Sequence, residues 1–192
     1  MNASVARRAR DDRGITLMEL LVAAGLLSLV ITVVGGILVS LFSTERLVAG
    51  VSQGTTSAQL TSTSIADRIR NASTFEVSGT TGSELLVARV ASGGESIVWT
   101  CHAWYFTSAG DGQIRYTSGP DGTPIVAPSS AQLASWTSLI EGVTAPDGGR
   151  VFTAEGDTVR VAFDADTGDA PAVAIRFAAP RLTGVEEVDS CF

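Results

Sequence analysis

Between Ile15 and Phe42 the chain carries 28 residues and one charge, Glu19. A carboxylate in an apolar run of membrane length costs roughly 2.5–3.5 kcal/mol at mid-bilayer and less near an end. An acid kept there is therefore a functional candidate. Other groups capable of chemistry are few. The chain has 13 arginines and no lysine, so lysine-based catalysis is excluded. His102 is its one histidine. Gly50-Val51-Ser52-Gln53-Gly54 matches the G-x-S-x-G nucleophile pattern, but that motif needs a strand-turn-helix elbow. Here it falls inside a helical pattern and reads as chance. Asp164-Ala165-Asp166-Thr167-Gly168-Asp169 has the alternating acids and glycine of a calcium loop. The residue six beyond Gly168 is Ala174 where an EF-hand has glutamate, so an acidic solvated turn is expected. No zinc-ligand cluster and no phosphate-cradling loop follow from the sequence, and no cofactor is expected. Cys101 and Cys191 are the only cysteines. If exported, such a pair favours a disulfide closing a large loop, worth roughly 4–5 kcal/mol by chain entropy; two unpaired thiols are the alternative.

The elements that must position these groups begin with the apolar run. Residues 1–14 hold Arg7, Arg8, Arg10 and Arg13 against Asp11 and Asp12, while the remainder holds nine arginines against eighteen acids. Positive before the run and negative after it places the leader inside and the domain outside. So acidic a domain is a poor candidate for direct nucleic-acid binding. A secretory signal has an apolar core of about 7–15 residues with its cleavage site behind it. This run is about twice as long, and the cleavage-like Gly14 stands before it. A plain anchor fits the length but leaves Gly14 and Glu19 in register unexplained.

Beyond Phe42, Leu47, Val51, Ala58, Ile65, Ile69 and Ala72 recur on one helical face. One long helix is expected from about Thr16 to about Ala72, with a weak point at Gly50 and Gly54. Ala24, Ser28, Thr32, Gly36 and Ser40 repeat every four residues, which allows close helix packing. After Thr74 the period changes to two, with strands expected at 84–90, 96–107, 113–118, 139–143, 158–164 and 172–179. Ala109-Gly110-Asp111-Gly112 should close a hairpin. On the long strand Trp99, Cys101, Ala103 and Tyr105 share one face, and Val98, Thr100, His102, Trp104 and Phe106 the other. The expected fold class is α+β, a long N-terminal helix packed on an antiparallel sheet. Its segments are a leader at 1–14, a transmembrane helix at 15–42, an amphipathic continuation at 43–75 and a β-rich head at 76–192.

Gly14-Ile15-Thr16-Leu17-Met18-Glu19-Leu20-Leu21-Val22-Ala23 resembles the cleavage and methylation motif of type IV pilins and of type II secretion pseudopilins. The resemblance covers about 30 residues and is specific; beyond residue 75 it is looser, nearest the J-type minor pseudopilins and W-type minor pilins. It implies cleavage by prepilin peptidase between Gly14 and Ile15, N-methylation of Ile15, and a role for Glu19 in fibre assembly. It also implies an inner-membrane single-pass precursor with an extracytoplasmic head. Its partners would be membrane lipid, the inner-membrane assembly platform and other pilins of one fibre. Pilins often close their C-terminal region with a disulfide, here Cys101–Cys191. The expected function is thus structural and not enzymatic, in a type IV pilus, a type II secretion pseudopilus or a competence fibre. The competing expectation is a membrane-anchored extracellular binding module, with calcium as a candidate ligand.

Overall fold

The computed structural model describes residues 16–93, 96–168, 170–183 and 190–192. The chain divides into two compact units, Met1–Glu45 and Arg46–Phe192. A single helix, α1 (Leu17–Arg70), contributes to both. In the first unit its stretch Leu17–Phe42 has a mean hydropathy of 2.6 over the membrane window and none of that window is buried. It is the one helix among the described residues that is long and apolar enough to cross a membrane. At about 1.5 Å per residue it spans roughly 39 Å, more than the ~30 Å hydrocarbon core. Two of the hydroxyls within it are satisfied by the helix's own backbone. Ser28 Oγ donates to the Gly25 carbonyl and Thr32 Oγ1 to the Ser28 carbonyl, both at 2.8 Å, which is how a polar side chain is tolerated where water is absent.

In the second unit α1 turns amphipathic. Ala58, Ile65 and Ile69 are fully buried, as their spacing predicts; the side chain of Leu47 lies outside the described residues. The helix stops at Arg70, where Asn71 Nδ2 donates to the Asp67 carbonyl at 2.8 Å, and Ala72 already opens a strand. Gly50 and Gly54 do not break the helix. They make room: a Cβ on Gly50 would stand 2.5 Å from the Thr167 carbonyl oxygen, and one on Gly54 2.9 Å from that of Asp166.

Five antiparallel strands in sequence order form the larger sheet: β1 (Ala72–Thr80), β2 (Ser83–Ser92), β3 (Val98–Thr107), β4 (Gln113–Pro120) and β5 (Thr137–Glu141). A second sheet holds β6 (Val143–Thr144), β7 (Phe152–Glu155), β8 (Thr158–Ala165) and β9 (Val173–Pro180). There β8 pairs with β6 and β7 and also with β9. The fold is α+β, with the helix packed on sheet. One core joins Ile65 and Ile69 of α1, Leu86, Trp104, Phe106 and Ile114 of the large sheet, and Phe152, Val161 and Phe163 of the small one. The other face of the large sheet carries a second cluster, with Leu85, Val87, Cys101, Ala103 and Tyr105 under Ile125, Leu133, Trp136 and the C-terminal Phe192. From Cys101 onward the two faces predicted for β3 pack under different covers, while Val98 at its start is exposed. The cover includes a short helix, α2 (Ser130–Leu133), held by a capping box between Ser129 and Gln132.

The predicted hairpin at Ala109–Gly112 joins β3 to β4, with Gly110 and Gly112 at φ of 67° and 76°. Three strands are additional to the sequence reading: β1, β6 and β7. β1 moves the start of the head from residue 76 back to Ala72, because Phe75 and Val77 alternate on a strand and do not extend the helix.

Candidate functional site

Thr16 stands immediately before α1 and caps it. Its carbonyl accepts the first helical bond, from the Leu20 N–H at 3.1 Å, and its Oγ1 accepts from the Glu19 N–H at 3.3 Å. Ser and Thr suit this position because their side-chain oxygen satisfies an N–H that the first turn leaves free. The cap fixes where the helix begins and so places Glu19 in its first turn, where the helix dipole favours a carboxylate. Glu19 is exposed and shares a shallow surface groove with Thr16, Met18, Val22, Ala23 and Leu26. Gly25, Gly35 and Gly36 have open space where a Cβ would stand, so no contact among the described residues accounts for them. Gly14 and Ile15, the residues expected at the cleavage and methylation site, lie outside the described residues.

In the head, Cys101 and Cys191 form a disulfide, with Cα atoms 5.5 Å apart across 90 residues of chain. The bridge is one of several fasteners on the C-terminus. The Ile125 N–H donates to the Cys191 carbonyl at 2.9 Å, and Ser190 Oγ donates to Asp121 Oδ1 at 2.5 Å. Asp121 also takes a two-pronged bond from Arg89, both contacts at 2.8 Å, and the Arg89 guanidinium lies 4.3 Å from the centre of the Trp99 ring. The Arg89 and Ser190 bonds hold the Asp121 carboxyl well below the usual carboxylate range. Cys101, Asp121 and Cys191 present their ligand-type atoms within 4.8 Å of one another. With the sulfurs bonded to each other, no thiolate is available to a metal.

The remaining candidates resolve as structure. His102 bridges Thr100 Oγ1 (2.8 Å) and the Tyr116 hydroxyl (2.6 Å) and stacks on the Trp104 and Tyr116 rings. Burial, and then the Arg68 charge, lower its pKa to about 4, so it is neutral near pH 7. Ser52 sits in mid-helix with no elbow. Asp164 is engaged by Arg176 at 2.8 Å, and Asp166 Oδ1 accepts from the Gly168 N–H at 2.9 Å. Two of the acids in the calcium-like loop thus already serve the fold; the third, Asp169, lies outside the described residues.

Sequence reasoning missed Glu84. Its side chain is fully buried, Oε2 accepts from the Phe152 N–H at 2.8 Å, and Oε1 lies 3.9 Å from Arg150 Nε. Arg150 in turn donates to the carbonyls of Ser78 and Gly79, and Arg181 donates to that of Ser73. These two arginines tie the two ends of β1 to the segments that flank the second sheet, just before β7 and just after β9. The signal was present: Glu84 is in phase with Leu86, Ala88 and Val90 on the inward face of β2.

The chain matches no protein-family model, no curated protein and no solved structure.

Proposed function

We propose that the protein is a minor pilin or pseudopilin, a structural subunit inserted by its N-terminal helix into a pilus-like or type II secretion fibre. One observation carries the reading. The only charge between Leu17 and Phe42 is an acid in the first turn of α1, on a segment that buries nothing against its own chain. A segment apolar on all sides needs lipid or other helices around it, and glycines facing open space suit close helix packing there.

The chemistry follows from that placement. Cleavage between Gly14 and Ile15 by prepilin peptidase would create an α-amine at the lipid boundary, later methylated on Ile15. An unpaired ammonium and an unpaired carboxylate are both costly in a low-dielectric setting. Within one chain the two groups are about 6 Å apart along the helix axis. Glu19 of an incoming subunit would neutralise the amine of its neighbour and so set the axial register. The precursor would be a single-pass inner-membrane protein with its head outside. With nine arginines against eighteen acids after residue 14, the chain outside the leader is a poor candidate for direct nucleic-acid binding.

The test is the intact mass of the membrane-extracted protein made with and without prepilin peptidase. A chain that begins at Ile15 with one added methyl group is expected. A chain retaining residues 1–14, beside a control substrate that is cleaved, would overturn the reading and favour the anchored binding module.

A further inference from the structure

The strand edges of the head are not treated alike. Toward its two ends β1 is tied down: Arg150 donates to the Gly79 carbonyl, Arg181 to that of Ser73, and the Ala72 carbonyl accepts from the Leu182 N–H at 3.0 Å. Among the described residues β9 has no such ties. The Ala162 N–H of β8 points to Val151, away from β9. The alternate residues Val159, Val161 and Phe163 therefore make the bonds to β9, through Ala179, Phe177 and Ile175. In an antiparallel ladder N–H and C=O of one residue point the same way, so the backbone groups of Ala174, Arg176 and Ala178 face outward. Among the described residues none of these three N–H groups has a backbone partner. Pro180, which has no N–H to offer, ends the row.

An open strand edge is a template for another strand, and natural proteins usually guard it with a charged side chain. The one charged side chain on β9 is not on guard. Arg176 folds back onto the Asp164 carboxylate and the Phe163 carbonyl, at 2.8 and 2.6 Å. Its neighbours at the edge, Ala174 and Ala178, are small. Between β9 and α1 lies an open groove of about 410 Å³, whose helix wall includes Ser62, Ala66 and the mutually paired Asp67 and Arg70.

We infer that β9 accepts a strand from a different subunit of the same fibre. The inference rests on the fibre reading above and names the surface by which a partner is held. The occupant is an extended, uncharged segment of about four to six residues. Charge is not required of it, because both arginines of the groove are already paired with aspartates. Alternate side chains of such a segment point to opposite sides: those on the helix side meet Ile175, Phe177, Ser62 and Ala66, and those on the other side lie beside Ala174 and Ala178. A second copy of this chain is the alternative occupant that the test below distinguishes. Backbone bonds supply the affinity and the alternating pockets the selectivity, as in other strand-addition complexes.

The test is residue-resolved hydrogen exchange on the full-length chain, first dilute in detergent and then in fibres sheared from cells that assemble it. The amides of Ile175, Phe177 and Ala179 should be protected in both states. Those of Ala174, Arg176 and Ala178 should exchange freely in detergent and slow by at least about tenfold in the fibre. An Ala178→Pro variant removes one outward N–H without touching the β8 ladder, so it should keep the wild-type unfolding temperature and lose fibre incorporation. Outward amides that still exchange freely in the fibre would overturn the inference. So would protection already present in the dilute chain, or protection produced simply by concentrating the isolated protein, which would assign the edge to a second copy. Intact mass separates the two levels of failure: a chain cleaved at Gly14 but unprotected at β9 leaves the fibre reading standing, and an uncleaved chain removes both.

Discussion

Replacing Glu84 should separate two explanations of why a carboxylate is buried in this head. The Ala variant removes the acceptor of the Phe152 N–H, and Phe152 is itself fully buried. Leaving that N–H without a partner costs about 1–3 kcal/mol. The lost methylene and the gap around it add about 1 kcal/mol. Arg150 loses its ionic partner, but its side chain is 35% exposed and can turn to water, so the cost stays toward the low side of the ~3–5 kcal/mol seen when a fully buried pair is broken. The expected destabilisation is roughly 2–4 kcal/mol, which for a domain of this size lowers the unfolding temperature by about 4–16 °C. Glu84→Met fills the space and still orphans the Phe152 N–H, so it should lose about 1–3 kcal/mol. Glu84→Gln keeps a carbonyl acceptor and should lose least. The assay is thermal unfolding of the full-length chain in detergent, followed by tryptophan fluorescence. Trp99, Trp104 and Trp136 all lie in the head, so the signal is blind to the apolar helix. A Met variant as stable as the wild type would refute the reasoning. It would mean that the carboxylate is merely tolerated, as buried ion pairs often are, and that the bond to β7 does not anchor the second sheet.

The disulfide should contribute about 4–5 kcal/mol by loop entropy. The Cys101→Ala/Cys191→Ala variant should accordingly unfold roughly 8–20 °C lower, and a reductant should bring the wild type to the same temperature; a drop under about 2 °C would show that the Asp121 and Ile125 contacts hold the C-terminus unaided. His102 is depressed to about 4 in the folded head against about 6.5 unfolded. The unfolded chain therefore binds the extra proton first, and head stability should fall as pH drops from about 6.5 toward 4. His102→Gln should flatten that part of a melting-temperature profile, and an unchanged slope would remove the assignment. Glu19→Ala should insert and be cleaved yet be poorly recovered in sheared fibres. Thr16→Val, which keeps the shape but loses the cap to the Glu19 N–H, should show a milder form of the same defect. Full recovery of both would count against a role for this turn in assembly.

What could be read in the sequence is what periodicity encodes. The apolar run, the amphipathic half of α1 and the long strands each repeat a single rule over eight or more residues, and their buried faces emerged in phase: Ala58, Ile65 and Ile69 on the helix, Cys101 and Tyr105 opposite Trp104 and Phe106 on β3. Where a residue's purpose is a distant contact, the local pattern misleads. Gly50 and Gly54 look like a weak point by helix propensity, because propensity carries no information about the Asp166–Thr167 backbone that rests on them. β7 spans only four residues, too short for alternation to register, and it is positioned through Glu84, 68 residues earlier in the chain. The same limit applies to the open edge of β9. Its sequence, Val-Ala-Ile-Arg-Phe-Ala-Ala-Pro, reads as an ordinary half-buried strand with a charge on its outer face. That the charge is withdrawn onto Asp164 depends on β8 lying alongside at this register and no other. A shift of one residue would turn Arg176 and Ala178 inward and bring Ile175 and Phe177 to the surface. The apolar face that anchors β9 in the core therefore also dictates which of its backbone groups remain unpaired at the edge.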